Sequence, residues 1–189
     1  MDFDEKKFKE LVKPDILRCR DGDWNHAKRV VKWIKKLGEG RSDLPLLITA
    51  GYIHDIGWRD LLSPQKLSFD KLLEFEGRAN ENSEPFIREV LDKLDYSDIE
   101  ISTILRLVHA ADKHKSQTDD EAIIVDADNL SKLHINHLKE KFKKEEWEKM
   151  YNLWKNEFPS RIKTPQGKKL YSKLLARLLR NIKYSLTSN

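Results

Sequence analysis

The stretch LLITAGYIHDIG, residues 46–57, decides the fold of this chain. Eight apolar or small residues lead directly into His54 and Asp55, and Gly57 ends the run. A helix that is apolar on all sides belongs in the interior of a protein. A histidine and a carboxylate at the end of such a helix are costly to bury unless a hydrogen-bonded ion pair or a metal ion compensates them. Of these two, we favour the metal ion.

The composition is typical of one helix-rich globular domain. Charged residues make up 36% of the 189 residues and apolar ones 39%, with only seven glycines and six prolines. Cys19 is the single cysteine, which excludes an intrachain disulfide and suits a reducing compartment. No apolar run approaches the roughly 20 residues that span a bilayer. We therefore expect a cytoplasmic protein that does not contact membranes.

Apolar residues recur at helical spacing along the whole chain. We expect Pro14 to interrupt the first helix. Ser97 and Glu100 form a capping box in front of another. The pattern predicts an all-α protein with helices over residues 7–17, 25–37, 46–57, 68–79, 83–94, 97–109, 120–133, 145–158 and 165–186.

Polar side chains stand on the apolar faces of three of these helices. His26 lies four residues before Val30 and therefore on the same apolar face of its helix. Asp126 likewise shares a face with apolar residues of its own helix. A lone histidine on an apolar face is more often a hydrogen-bonded core residue than a ligand. Together with His54 and Asp55, however, the set offers two imidazoles and two carboxylates, which suits Mn²⁺, Fe²⁺, Ni²⁺, Zn²⁺ or Mg²⁺.

Four segments carry a resemblance to a known family: DWNHAKRV (23–30), AGYIHDIG (50–57), IIVDADNL (123–130) and KTPQGKKL (163–170). The order His, then His-Asp, then Asp resembles the signature of the HD-domain metal-dependent phosphohydrolases. The last segment is similar to the closing helix of a stand-alone bacterial and archaeal branch of that family. The resemblance covers residues 21–186.

This resemblance implies a single HD domain over residues 1–189, built as a bundle of about six to eight helices around the central buried one. Its core would span about 21–138, with C-terminal helices over 145–187 packed on it. One divalent metal ion would be held by His26, His54, Asp55 and Asp126. Many relatives bind a second metal or a phosphate through further histidines, but residues 76–83 contain none. The resemblance therefore favours a mononuclear site.

The resemblance also implies a reaction, the hydrolysis of a phosphoester or pyrophosphate by a metal-activated water. The expected substrate is a small phosphorylated molecule, a nucleotide in our interpretation. Asp55 and Glu76 are the candidate catalytic residues, and Arg29, Lys28 and His109 are the candidates for substrate binding. For Lys28 an ordinary surface charge is the competing interpretation, and for His109 it is a position away from the site. We expect His114, His134 and His137 to be solvated.

Two other functions remain open. A catalytically weak HD module would bind metal and nucleotide as a sensor. As to oligomeric state, the sequence is compatible with a homodimer. A nucleic-acid-binding protein would use residues 139–144 and the basic face of the last helix, which carries Lys168, Lys169, Lys173, Arg177, Arg180 and Lys183. The net charge of +4 fits a phosphate-bearing ligand or a solvated surface alike. We expect these charges to form the solvated side of amphipathic helices, so nucleic acid is the less favoured partner.

Overall fold

Nine α-helices and two short 3₁₀ turns account for the regular structure in a computed structural model that describes residues 3–62, 65–66 and 68–187. No β-strand occurs within these residues, so the all-α, single-domain prediction is confirmed, with nine helices instead of six to eight. The helices are α1 (Glu5–Leu17), α2 (Asp23–Leu37), α3 (Leu44–Ile53), α4 (Phe69–Asp92), α5 (Asp98–Asp112), α6 (Asp119–Lys132), α7 (Ile135–Lys141), α8 (Trp147–Arg161) and α9 (Pro165–Thr187).

The central helix lies where its sequence predicts. Residues 47–53 of α3 are all buried, and α3 packs against α2 and α5. The helix ends at Ile53, and a 3₁₀ turn (Ile56–Trp58) follows it. His54 and Asp55 therefore lie at the junction of two elements. At such a junction neighbouring side chains are not held about 100° apart, as they are within a helix.

Two proline-based predictions are wrong. Pro14 lies inside α1, which continues because Phe8, Val12 and Ile16 anchor one continuous buried face. The expected helices over 68–79 and 83–94 are one helix, α4, with Pro85 inside it. Its buried residues include Ala79, Ser83, Ile87 and Val90, an unbroken stripe at helical spacing.

The buried apolar residues form two clusters that meet along α6. The first cluster draws on α1 to α5 and the N-terminal part of α6, up to Ala127. The second begins at Leu130 and continues into α7, α8 and α9. Asp128 lies between them on the chain. Burial extends over residues 120–131 of α6, so this helix is enclosed on all sides.

The C-terminal helix α9 packs one apolar stripe against the second cluster. Leu178 and Ile182 are buried, and Leu174 is partly buried beside them. Among the helices of the described residues, none combines the length and the apolar character needed to cross a membrane.

Candidate metal centre

Four side chains from three parts of the chain converge on one point. His26 lies on α2, His54 and Asp55 follow α3, and Asp128 lies on α6. The Nε2 atoms of the two histidines are 3.2 Å apart. Asp128 Oδ1 lies 3.1 Å from Nε2 of His26 and 3.8 Å from Nε2 of His54. Asp55 Oδ2 lies 3.8 Å and 3.6 Å from the same two nitrogens.

Hydrogen bonds fix the tautomers of both histidines. His54 Nδ1 lies 3.0 Å from the carbonyl oxygen of Gly51, which only accepts, so this nitrogen carries the proton. His26 Nδ1 lies 2.9 Å from Ser131 Oγ, and that hydroxyl donates its own proton to the Asp128 carbonyl. Burial holds the pKa of His26 well below its usual value, so the ring is neutral. The Nε2 atoms of the two rings, which these Nδ1 contacts leave unused, therefore face each other.

The carboxylate of Asp128 adds a third electron-rich atom to this point. Its Oδ1 is buried and has no hydrogen-bond donor among the described residues, whereas Oδ2 accepts a hydrogen bond of 2.6 Å from Lys132. Burial raises the pKa of this carboxyl, but Lys132, followed by the two histidines, holds it well below the usual range. Two imidazole nitrogens and a negative oxygen this close together are ligand atoms that a single cation can bind. His26, His54 and Asp128 are thus a buried group able to hold a metal ion.

Asp55 is held in place by two cations. Arg20 Nη2 lies 2.8 Å from its Oδ1, and Lys141 Nζ lies 3.3 Å from its Oδ2. Both cations also contact the buried carboxylate of Asp23. Burial raises the pKa of Asp55, yet the charges of Arg20 and Lys141 hold it well below its usual range. Asp55 is therefore ionised, with Oδ2 facing the two histidines.

The prediction that Asp126 faces the two histidines is wrong, because Asp128 faces them instead. Asp126 Oδ1 accepts a hydrogen bond from the backbone N–H of Lys163, and Oδ2 accepts from the N–H and the hydroxyl of Thr164, at 2.6–2.8 Å. Asp126 therefore anchors the start of α9. Residues two apart on a helix point about 160° apart, so Asp126 and Asp128 cannot both face the histidines.

His137 was expected to be solvated, and that prediction is wrong. It is 3% exposed, and its ring centroid lies 4.8 Å from that of His26. Its Nδ1 is buried and has no hydrogen-bond partner within the described residues. Helical spacing in the sequence could not reveal that His137 is buried, because α7, which carries it, is only seven residues long. His134, by contrast, is exposed as predicted.

A cavity of about 340 Å³ opens beside the four side chains. One part of its wall contains four cations, each of which contacts a carboxylate of the protein: Arg20, Lys132, Lys141 and Arg161. Another part is apolar and comes from α4 and α8, with Phe69, Leu72, Leu73, Met150, Leu153, Trp154 and Phe158. The cavity therefore suits a ligand that has an anionic end and an apolar or aromatic end.

The predicted catalytic residue Glu76 and the predicted substrate-binding residues lie in different parts of the structure. Glu76 lines the cavity. Arg29 instead donates a hydrogen bond of 2.9 Å to Glu140, and Lys28 is exposed near Trp24. Neither of them, nor His109, belongs to the cavity wall that the described residues form. No sequence pattern indicated the cations that line the cavity, because they come from four separate segments of the chain.

Asp112 and His114 complete the polar wall. Burial, followed by the negative charges of Asp55 and Asp128, raises the pKa of Asp112 from 3.8 to about 8. Burial lowers the pKa of His114 to about 3, so this residue is not the solvated one that was expected. Asp112 Oδ2 and His114 Nδ1 are both buried and lack a hydrogen-bond partner in the described part of the chain. At neutral pH Asp112 is a protonated acid that can donate a hydrogen bond to a ligand.

No protein-family model, curated protein or solved structure matches the chain.

Proposed function

We propose that the protein is a metal-dependent phosphohydrolase of the HD type, with one divalent ion held by His26, His54, Asp55 and Asp128. One observation carries the proposal: the Nε2 atoms of His26 and His54 face each other at 3.2 Å, and a carboxylate oxygen of Asp128 that lacks a donor lies 3.1 Å from one of them. The order His, His-Asp, Asp supports it, with Asp128 as the last member.

The bound ion would polarise a phosphoryl oxygen and lower the pKa of a coordinated water. The protein groups have separate tasks. Asp55 keeps one carboxylate oxygen on the metal side while Arg20 holds the other, so it is placed to orient the attacking water or accept its proton. Glu76, which lines the cavity, is the second candidate base. Arg161, which pairs with Glu157, and Lys132, which pairs with Asp128, are the cations placed to offer positive charge to the non-reacting phosphate oxygens.

The shape of the cavity supports a nucleotide as the substrate. A phosphate would bind at the cationic wall, while the aromatic side chains of α8, Trp154 and Phe158, would contact a base or another flat group. Asn80, also in the wall, offers both a hydrogen-bond donor and an acceptor to that group.

The test is a hydrolysis screen of nucleoside mono- and triphosphates and of p-nitrophenyl phosphate, each with Mn²⁺, Ni²⁺, Zn²⁺ or Mg²⁺. We expect turnover in the wild type and none in Asp55→Ala at saturating metal, because the substitution removes both a ligand and the group nearest the water. Equal rates for the two proteins would refute the catalytic assignment. Nucleotide binding without turnover would instead identify a sensor.

A pair of arginines provides a matched control for the phosphate site. Arg161→Ala should raise KM about 10- to 100-fold, the effect of losing one charged hydrogen bond of about 1.5–3 kcal/mol. Arg29→Ala removes the same charge outside the cavity and should leave KM within about twofold. Equal effects in the two variants would show that phosphate does not bind at the Arg161 side.

A further inference from the structure

The positive charge of this protein is concentrated in its last helix. α9 contains six Lys or Arg residues and no Asp or Glu, so it contributes +6. Since the whole chain carries +4, the rest sums to 4 − 6 = −2. The excess of positive charge therefore belongs to one helix, and it is not spread over the surface as a solvated background would be.

Five of these cations lie on one face of α9, which we call the α9 stripe: Lys169, Lys173, Arg177, Arg180 and Lys183. At 100° per residue they fall within about 120° of the helix circumference, on the side opposite the buried Leu178 and Ile182. All five are exposed. At 1.5 Å per residue the stripe is about 21 Å long, with one charge every 4–6 Å.

The α9 stripe forms no ion pair with any acid in the described residues, in contrast to much of the remaining surface. Lys35, Arg88 and Lys93, for example, each contact a carboxylate at 2.5–2.9 Å. An uncompensated row of like charges on a rigid helix destabilises itself slightly by repulsion. A ligand with a matching row of negative charges would relieve that repulsion.

We propose that the α9 stripe binds the phosphate backbone of a single-stranded nucleic acid. This inference does not depend on the metal centre. A linear array of cations complements a linear array of phosphates, and each contact releases counterions. Tyr184, 74% exposed at the end of the stripe, offers a ring on which a base can stack.

The structure favours nucleic acid over an anionic membrane. A helix that lies in a membrane interface inserts its apolar face into the lipid. The apolar face of α9 is already occupied, because Leu178 is fully buried and Ile182 is 1% exposed in the second cluster. The face left open presents mainly charges, together with Tyr184 and the small Ala176, which suits a hydrated polyanion better than hydrocarbon.

Fluorescence anisotropy with a labelled 12-nucleotide single strand, as RNA and as DNA, tests the proposal. The triple variant Lys169→Gln/Lys173→Gln/Arg180→Gln should bind about tenfold more weakly than the wild type at low salt. The slope of log affinity against log salt should fall by about 2, because each lost contact with a single strand contributes about 0.7. Tyr184→Ala should weaken binding without changing that slope.

The control is Lys6→Gln/Lys7→Gln/Lys13→Gln on α1. It removes the same charge from exposed lysines that lie among the acids Glu5, Glu10 and Asp15, and it should keep wild-type affinity within about twofold. Equal losses in both triple variants would overturn the proposal, since only net charge would then matter. A wild type that binds no strand at about 50 mM salt would also overturn it, as would a stripe that prefers phosphatidylserine vesicles to the oligonucleotide.

Discussion

Two hydrogen bonds determine which nitrogen of each histidine is free to bind a metal. For His26 the partner is Ser131 Oγ at 2.9 Å, a hydroxyl fixed in turn by the carbonyl oxygen of Asp128. Partners of this kind orient the ring and raise the basicity of the opposite nitrogen. Ser131 is fully buried, so its hydroxyl has no competing bond to water.

Ser131→Ala should therefore lower the affinity for Mn²⁺ about 10- to 100-fold, as measured by titration calorimetry. Ser83→Ala is the control, because Ser83 is also buried and its hydroxyl also binds a carbonyl in its own helix, that of Ala79 at 3.2 Å. The control should bind Mn²⁺ like the wild type. If both variants lose affinity equally, Ser131 stabilises the fold and does not act on the histidine.

Asp112 gives the stability of the metal-free protein a characteristic dependence on pH. Its pKa is 3.8 in the unfolded chain and about 8 in the folded one, so the folded state binds the extra proton between these values. The stabilisation is complete below pH 3.8 and is lost as pH rises toward 8, at up to about 1.4 kcal/mol per pH unit. Asp112→Asn removes this contribution.

Between pH 5 and 8 the free energy of unfolding of Asp112→Asn should thus fall less steeply, or rise more, than that of the wild type. Urea denaturation in EDTA at several pH values measures both proteins. Parallel pH curves would contradict the raised pKa of Asp112.

The sequence pointed to His26, His54 and Asp55, but we assigned Asp126 as the fourth residue, whereas Asp128 is the one that faces the histidines. Helical phase reveals which residue faces inward only when the helix has a solvated side. Because α6 is buried from Asp120 to Ser131, both aspartates face protein and the pattern is uninformative. What separates them is the contact of Asp126 with the start of α9, which depends on tertiary structure.

The 3₁₀ turn behind Asp55 packs so closely on α4 that only glycine fits at position 57. A Cβ at Gly57 would lie 2.0 Å from the carbonyl oxygen of Ala79 and 2.5 Å from Ser83 Oγ. The nearest atom belongs to the backbone of a long helix and cannot move aside easily. This contact fixes the turn, and with it the position of Asp55.

Gly57→Ala should therefore destabilise the protein by at least about 1–3 kcal/mol, the usual cost of overpacking, and should also weaken metal binding. Gly77→Ala on α4 is the matched control, since a Cβ there meets nothing within 4 Å. It should stabilise the protein by up to about 1 kcal/mol through helix propensity. Thermal unfolding compares the two, and a Gly57→Ala variant as stable as the wild type would show that the turn is not fixed by α4.

Helices could be predicted from the sequence where one face is exposed to solvent. The capping box at Ser97 and the buried apolar face of α9 are both as predicted. α4 was divided at Ser83 because a cap-like Ser-Glu-Pro there imitates a helix start, although the buried stripe continues through it. α7 was missed because seven residues carry too little periodicity to be recognised.

Across the whole molecule, the candidate metal centre lies where the two hydrophobic clusters meet. α2 and α3 bring the histidines from the first cluster, and α6 brings Asp128 at the boundary with the second. The sequence predicted the class of fold and three of the four side chains that converge at this point. It did not predict the cationic and aromatic cavity, because the wall forms only when distant segments pack together. An ion bound at this boundary should stabilise the folded state by mass action.

Metal content per chain tests the central claim most directly. Protein stripped with EDTA, reloaded with Mn²⁺ and desalted is analysed for the wild type, Asp128→Asn and Asp126→Asn. We expect about one ion per chain in the wild type and in Asp126→Asn, whose amide oxygen can still accept from Thr164, and little or none in Asp128→Asn. A wild type that retains no metal, or an Asp128→Asn variant that retains as much as the wild type, would contradict the account.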